Sequence, residues 1–153
     1  MAHILIADDD ELVAERACQI LIDSGHACGW VTSGEAAWDL LRRRRPDLML
    51  LDQNMPGISG LTLLRRLRQS ETFYDLPVVM FTAMSGMEDE TQAIYAGAQD
   101  FVRKPFDARG LKSRIQRVLA RIQNRPRHKA LHAHLRETAG LDHDADETQR
   151  RFI

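Results

Sequence analysis

The chain has 153 residues, enough for one hydrophobic core of ordinary size and a short appendage. Apolar residues make up 44% and charged residues 28%, and a formal net charge of −1 gives no overall attraction to nucleic acid or acidic lipid. No apolar run approaches the roughly 20 residues that cross a bilayer, the first residues lack the features of a secretion signal, and two cysteines are too few for a disulfide framework. We therefore expect a cytoplasmic protein with no membrane partner.

Short apolar runs alternate along the chain with longer segments of helical period. The runs predict strands at 3–7, 26–31, 47–52, 78–81 and 99–102, and the segments predict helices at 10–23, 34–45, 58–68, 86–96 and 108–123. The first helix is predicted to bury Leu12, Val13, Ala17, Ile20 and Leu21. Because the strands are apolar on both faces and separated by helices, the pattern predicts an α/β fold with a parallel sheet covered on both sides.

Polar residues of one chemical kind follow several of these strands. They are Asp8, Asp9 and Asp10 after the first strand, Asp52 after the third, Thr82 after the fourth and Lys104 just past the fifth. Any single aspartate here is explained as a helix cap. The carboxyl ends of parallel strands share one edge of the sheet, where functional residues gather, so we expect these side chains to converge.

The expected cluster has the chemistry of phosphoryl transfer. Crowded carboxylates repel one another, and a hard divalent cation such as Mg²⁺, which takes oxygen ligands, relieves that repulsion. A carboxylate can also act as a nucleophile toward phosphorus. Because a lysine and a metal ion neutralise charge on the phosphoryl oxygens, the set predicts acceptance of a phosphoryl group on an aspartate.

Four segments of the chain resemble the motifs of the response-regulator receiver domain of two-component signalling. They are "ILIADDD", "LMLLDQNMPGISG", "VVMFTA" and "DFVRKPF", and they occur in the family's order within residues 1–123. The resemblance implies a flavodoxin-like (βα)5 doubly wound parallel sheet with strand order 2-1-3-4-5. It also implies a receiver domain at 1–123, followed by a helical tail at 124–153.

The resemblance also implies a role for each acidic residue. Asp52 would be the phosphoacceptor and would contribute to the metal site. Asp9 would ligate Mg²⁺ directly, Asp8 would hold it through water, and the backbone carbonyl of Asn54 would be a further ligand. Gln53, between two of these residues, is less usual than an acidic or apolar residue at that place in the family.

Three further positions carry implied roles on the other strands. Thr82 and Lys104 would grip the phosphoryl group, and the Lys104–Pro105 peptide bond would be cis. Phe101 would be the aromatic switch that turns inward when Thr82 is drawn toward the phosphate. Tyrosine is common at that position in the family, and phenylalanine keeps the packing change while losing the hydroxyl.

The function expected from the resemblance is that of a signalling module. A histidine kinase or histidine phosphotransfer protein would donate a phosphoryl group to Asp52. The surface of the fourth helix, fifth strand and fifth helix would then change its affinity for a downstream protein target, or for a second copy in a homodimer. Beyond self-phosphorylation and autodephosphorylation we expect no enzyme activity.

Two other interpretations stay open at this point. Asp8 and Asp10 after the first strand also suit a haloacid-dehalogenase-type phosphohydrolase with Asp8 as the nucleophile. That family also uses a threonine and a lysine at later strand ends, but it would leave Asp52 without a role. A pseudo-receiver, which has this fold and is never phosphorylated, is the third interpretation.

The segment at 124–153 is too short to bury a core of its own. Its residues 127–139 have helical spacing, and it shows no helix-turn-helix pattern, so we expect no nucleic-acid partner for this chain. It could pack on the receiver, pair with a second copy, or link to an output domain. The last option rests on "AGLDHDADETQRRF", which is faintly similar to the entrance of diguanylate cyclase domains and would suggest a fragment of a larger cyclic-di-nucleotide signalling protein.

Overall fold

The structure is a computed structural model that describes residues 1–83 and 87–123, without the side chains of residues 87–90 and 123. The strands are β1 (His3–Ala7), β2 (Ala27–Val31), β3 (Leu48–Leu51), β4 (Val78–Thr82) and β5 (Asp100–Arg103). The helices are α1 (Glu11–Asp23), α2 (Gly34–Arg43), α3 (Gly60–Arg68), α4 (Met87–Tyr95) and α5 (Ala108–Gln123). Strands and helices therefore alternate along the described chain in the predicted order.

The five strands form one parallel sheet in the order β2-β1-β3-β4-β5. This arrangement confirms the predicted flavodoxin-like (βα)5 fold. In the central pairing, Ala7 of β1 lies opposite Leu51 of β3, so both strands end at the same level of the sheet. The residues that follow them therefore emerge side by side.

The core lies on both faces of the sheet, and successive residues of β3 alternate between the faces. Met49 and Leu51 belong to a cluster with buried residues of α2, α3 and α4, whereas Leu48 and Leu50 belong to one with residues of α1 and α5. The alternation follows from the two-residue period of a strand. Because both faces are covered, every residue of β3 is apolar and buried.

The helices differ from the prediction in several details, among them the end of α2 at Arg43 and not at 45. Leu12 is 78% exposed, and the buried stripe of α1 consists of Ala14, Ala17, Cys18 and Leu21, at helical spacing. α3 begins at Gly60, two residues later than predicted, because Ser59 is its N-cap and the amide of Gly60 donates to the carbonyl of Gln53. Residues 58 and 59 therefore belong to the loop that leaves the end of β3.

The predicted tail at 124–153 lies outside the described residues. In the ranges that are described, no helix combines the length and the apolar character required for a membrane span. The division of the chain into a receiver domain and a tail stays a prediction.

Candidate functional site

The first and third strands deliver two carboxylates to the same edge of the sheet. The amide of Asp8 donates to the carbonyl of Val31 at 3.0 Å, which extends the ladder between β1 and β2 by one residue. The amide of Asp52 donates to the carbonyl of Ala7 at 2.9 Å, on the other side of β1. Since sheet hydrogen bonds fix both backbones, the two side chains start from neighbouring strands at one level.

Three carboxylates form an acidic cluster at this edge. Asp8, Asp9 and Asp52 each offer an oxygen, and these oxygens all lie within 4.8 Å of one another. Asp8 is 0% exposed and Asp52 is 3% exposed, whereas Asp9 is exposed. Asp10 is the N-cap of α1 and accepts hydrogen bonds from the amides of Leu12 and Val13. Of the three consecutive aspartates, two therefore belong to the cluster and one caps a helix.

Lys104 supplies the positive charge of the cluster. Its ammonium Nζ lies 2.5 Å from Oδ2 of Asp8 and 3.5 Å from Oδ2 of Asp52. The same nitrogen stands 5.0 Å from the centre of the Phe81 ring, within the range of a cation–π contact. The ammonium is therefore held between two buried acids and an aromatic face, where it can neutralise negative charge.

Burial dominates the electrostatics of Asp52. The pKa of its carboxyl is raised from an ordinary value of 3.8 to about 6, first because burial disfavours the charged form and second because Asp8 lies close by. Lys104, the side chain of Thr82 and the backbone amide of Asn54 oppose that rise. At pH 7 the carboxylate is still mostly ionised, and this charged form is destabilised because burial removes its hydration.

Thr82 and Asn54 both lower the pKa of the Asp52 carboxyl. The hydroxyl of Thr82, which is buried at the end of β4, donates to the carboxylate, and the backbone amide of Asn54, in the loop after β3, favours its charged form. The amide of Lys104 donates to the carbonyl of Thr82 at 3.0 Å, and the Lys104–Pro105 peptide bond is cis. The structure thus brings the predicted acid, hydroxyl and ammonium residues into one pocket.

The acidic cluster fits a divalent cation with oxygen ligands. Within the described chain the Lys104 ammonium, at 2.5 Å, is the partner of the fully buried Oδ2 of Asp8. Three carboxylates around a single ammonium leave an excess of negative charge, and Mg²⁺ prefers carboxylate oxygens as ligands. Asp8, Asp9 and Asp52 could hold this ion together.

Phe101 is 7% exposed and belongs to the core cluster that includes Met80, Ala93 and Ala98. Its ring is therefore inside the protein, between the sheet and α4. The switching movement expected of this ring stays a prediction.

On the neighbouring surface, Arg114 of α5 donates to Oδ1 of Asp100 of β5 at 2.8 Å.

The loop after β3 contains contacts that the sequence did not reveal. Oε1 of Gln53 accepts a hydrogen bond of 2.7 Å from the amide of Leu61, and the carbonyl of Gln53 accepts one of 3.0 Å from the amide of Gly60. A Cβ on Gly60 would lie 2.1 Å from the carbonyl oxygen of Asp52, so only glycine permits this approach. The sole hint in the sequence was the unusual identity of Gln53.

Comparison with known proteins identifies the class to which this site belongs. The family model for the response regulator receiver domain matches residues 4–116. The chain therefore belongs to the receiver-domain family of two-component response regulators, as the four motifs predicted. Phosphorylation and magnesium binding are typical of this family. Membership supports the receiver interpretation over a dehalogenase-type phosphohydrolase.

Individual relatives show the same relationship over about four-fifths of the chain. The phosphate regulon transcriptional regulatory protein PhoB of Pseudomonas aeruginosa is 37% identical over 118 residues, which are 77% of this chain and 52% of PhoB. The DNA-binding dual master transcriptional regulator RpaA of Synechocystis is 33% identical over 82% of this chain and 52% of its own length. The chain thus spans about half the length of these curated relatives.

A solved structure supports the same assignment. The crystal structure of a response regulator from Chloroflexus aurantiacus, described as putative, superposes with a TM-score of 0.74 at 35% identity. The match covers 78% of this chain and 98% of that one. A whole solved chain of this class therefore corresponds to the described fold.

Proposed function

We propose that this protein accepts a phosphoryl group on Asp52 in a Mg²⁺-dependent reaction, from a histidine kinase or a histidine phosphotransfer protein. The observation that carries the proposal is the convergence of one buried nucleophile with two further acids, a hydroxyl and an ammonium. Each of these groups has a separate task in phosphoryl transfer.

The transfer forms one bond and breaks another. An oxygen of the ionised Asp52 carboxylate attacks the phosphorus of a phosphohistidine, and an O–P bond forms as the N–P bond breaks. The imidazole nitrogen leaves with the electron pair of that bond. Because the pKa of Asp52 is about 6, the nucleophilic form predominates at neutral pH without being fully stabilised by its surroundings.

The chain's own residues prepare this step. Asp9, Asp8, Asp52 and the backbone carbonyl of Asn54 would hold the magnesium ion, which supplies charge neutralisation on the phosphoryl oxygens. Lys104, whose ammonium lies 3.5 Å from Oδ2 of Asp52, adds a second positive charge. The hydroxyl of Thr82 donates a hydrogen bond to the Asp52 carboxylate before transfer. After transfer it donates to a phosphoryl oxygen instead.

The movement of the Thr82 hydroxyl toward the phosphoryl group links the site to the surface of α4, β5 and α5. Thr82 ends β4 and pairs with Arg103 of β5, two residues from the buried ring of Phe101. A shift of this pair would change the packing beneath α4, where Ile94 is exposed and Tyr95 is 88% exposed. We infer that the surface of α4, β5 and α5 presents the phosphorylated state to a downstream protein or to a second copy.

The setting of this function is also a proposal. We infer that the protein acts in the cytoplasm, where histidine kinases and their phosphotransfer partners present phosphohistidine. The DNA-binding activity for which RpaA is named belongs to that longer protein. For this chain we propose protein partners and neither nucleic acid nor membrane. We also propose no enzyme activity beyond its own phosphorylation and dephosphorylation.

Acetyl phosphate, a small phosphoryl donor, provides the test. The full chain is incubated with it and Mg²⁺, and the intact mass is measured with and without EDTA. We expect a single phosphoryl adduct that requires Mg²⁺ and is absent from Asp52→Asn. The exposed Asp39, paired with Arg42 on α2, gives a matched control in Asp39→Asn, which should label like wild type. An adduct retained in Asp52→Asn and lost in Asp8→Asn would instead favour the phosphohydrolase.

A further inference from the structure

We propose that Gln53 is a positioning residue of this site, whose side chain holds the segment 52–54 against the N-terminus of α3 and thereby orients the cation ligands on either side of it. The inference rests on the proposed function, because it assigns Asp52 and the Asn54 carbonyl to the metal site. It adds a residue that reaches neither the ion nor the phosphoryl group.

Two hydrogen bonds join Gln53 to α3. The side-chain Oε1 accepts from the amide of Leu61 at 2.7 Å, and the backbone carbonyl accepts from the amide of Gly60 at 3.0 Å. These are the first two amides of the helix, which have no partner within it. One residue therefore caps two successive amides of the first turn with two different oxygens.

Ser59 satisfies the following amides of the same helix. Its hydroxyl accepts from the amide of Thr62 at 3.2 Å, and its carbonyl accepts from the amide of Leu63 at 3.0 Å. The acceptors for the first amides of α3 thus come from two residues. Ser59 lies in the loop before the helix, and Gln53 lies between Asp52 and Asn54. Only the second of these caps ties the helix to the acidic cluster.

The backbone at this point is closely confined. A Cβ on Gly60 would meet the carbonyl oxygen of Asp52 at 2.1 Å, so the first residue of α3 packs directly on the peptide after Asp52. Two residues after Asp52, the backbone amide of Asn54 lies close enough to the Asp52 carboxylate to lower its pKa. The bond from Gln53 to Leu61 therefore fixes the peptide plane between a nucleophile and a proposed carbonyl ligand.

Loss of that bond has a consequence beyond helix stability. Leu61 is buried, and its amide would lose its acceptor and draw the neighbouring backbone toward another one. The backbone that carries Asp52 and Asn54 would then be held less firmly, and residues that orient metal ligands commonly affect metal affinity. A residue that merely caps α3 would change stability and leave the metal site intact.

The experiment compares Gln53→Met with Ser59→Ala. The first keeps the length of the side chain and removes its acceptor, and the second removes a cap of the same helix that lies off the segment 52–54. Mg²⁺ binding to the full chain is measured by isothermal titration calorimetry, with thermal unfolding in EDTA beside it. We expect both variants to lose thermal stability, but only Gln53→Met to weaken Mg²⁺ binding, by about tenfold.

Gln53→Glu keeps an acceptor oxygen and serves as the rescue. It should bind Mg²⁺ at least as tightly as wild type, also at about 0.5 M salt, where the added charge is largely screened. Equal Mg²⁺ affinities in Gln53→Met and Ser59→Ala would overturn the inference. If Gln53→Met does not fold, weakened binding by folded Gln53→Glu would overturn it. Wild-type protein that neither binds Mg²⁺ nor labels would remove the proposed function as well.

Discussion

The acidic cluster and the surroundings of Arg68 both hold charge away from water, and the structure stabilises that charge differently in each. In the acidic cluster, Asp8 and Asp52 are buried within reach of one ammonium, that of Lys104. Among the described residues Oδ2 of Asp8 is paired only with that ammonium, and the pKa of Asp52 is raised. The negative charge there exceeds what the neighbouring groups stabilise.

Arg68, the last residue of α3, is half-buried with its donors fully used. Its guanidinium donates to the carbonyl of Gly97 at 3.0 and 2.7 Å, to the carbonyl of Leu76 at 2.8 Å, and to Oε1 of Gln99 at 3.0 Å. Longer bonds reach the carbonyls of Phe73 and Tyr74. Burial lowers its pKa to about 10, so the group remains a cation at neutral pH.

The difference separates a structural charge from a reactive one. Arg68 meets neutral carbonyls that would otherwise lack donors, and it joins the α3–β4 loop to the turn after α4. The acids at the other site oppose one another and gain by binding something positive or by attacking something electrophilic. Four perturbations test whether the two sites are separate in this way, and they are ordered by the size of the expected effect.

Arg68→Met should be the most destabilising change. It leaves at least the carbonyls of Leu76 and Gly97 without their donors, and we expect a loss of about 3 to 4 kcal/mol in the free energy of unfolding. Urea denaturation measures it, with the exposed Arg65→Met on the same helix as a control that should change little. Mg²⁺ affinity should stay within about twofold of wild type, and a larger fall would show that the two sites are coupled.

Lys104→Met should slow labelling of Asp52 by acetyl phosphate about 100-fold, because it removes the positive charge aimed at the phosphoryl group. Initial rates of adduct formation at saturating Mg²⁺ measure the effect. The exposed Lys112 of α5 offers the control Lys112→Met, which should label normally. Mg²⁺ binding should not weaken, since a competing cation has gone, and weaker binding would contradict the role given to Lys104.

The raised pKa of Asp52 makes a prediction about stability and pH. Between pH 4 and 6 the folded state holds a proton on this group that the unfolded state has released, so the group's contribution falls as pH rises through that window. Asp52→Asn lacks this effect. In EDTA, its stability relative to wild type should rise by on the order of 2 kcal/mol between pH 4 and pH 7.

Chemical denaturation of both proteins across that pH range measures the difference. Addition of Mg²⁺ at pH 7 should stabilise wild type more than Asp52→Asn, because the ion relieves the charge that burial leaves unfavourable. If the difference in free energy of unfolding between the two proteins does not vary with pH, the pKa of Asp52 is not raised in the folded state.

Gly97→Ala should have the smallest effect. Gly97 has a φ of +107°, and an added Cβ would lie 2.7 Å from Nε of Arg68. We expect a loss of about 1 to 2 kcal/mol from backbone strain and displacement of the guanidinium. Gly29 in β2 has no atom within 4 Å of its Cβ position and no positive φ, so Gly29→Ala is the control. If both variants lose the same free energy of unfolding, the contact with Arg68 does not contribute to the effect.

Much of the fold and the approximate site followed from local patterns in the sequence. The alternation of apolar runs with helical periods determined the order of elements, and buried strands required a parallel sheet. Since parallel strands end at one edge of the sheet, the residues that follow them were expected to converge there. These residues are Asp8, Asp52, Thr82 and Lys104. The position of each group relative to its strand end is a local property, and it needed no knowledge of distant contacts.

Other features depended on contacts between segments far apart in the chain. Asp8, Asp9 and Asp10 are chemically identical, and only the packed sheet decides which is buried, which is exposed and which caps α1. Leu12 was wrongly expected to be buried, because a periodic stripe leaves its phase open until the helix meets its sheet. Arg68 has the same local pattern as its exposed neighbours, and its burial arises only where two loops meet it.

The sequence by itself therefore determined the order of the elements, the parallel sheet and the edge where the acids gather. The tertiary structure alone decided the roles within that edge, including the two hydrogen bonds of Gln53 to α3 and the raised pKa of Asp52. The reason is physical, because periodicity depends on neighbours along the chain. Burial, ion pairing and metal-ligand geometry depend on neighbours in space.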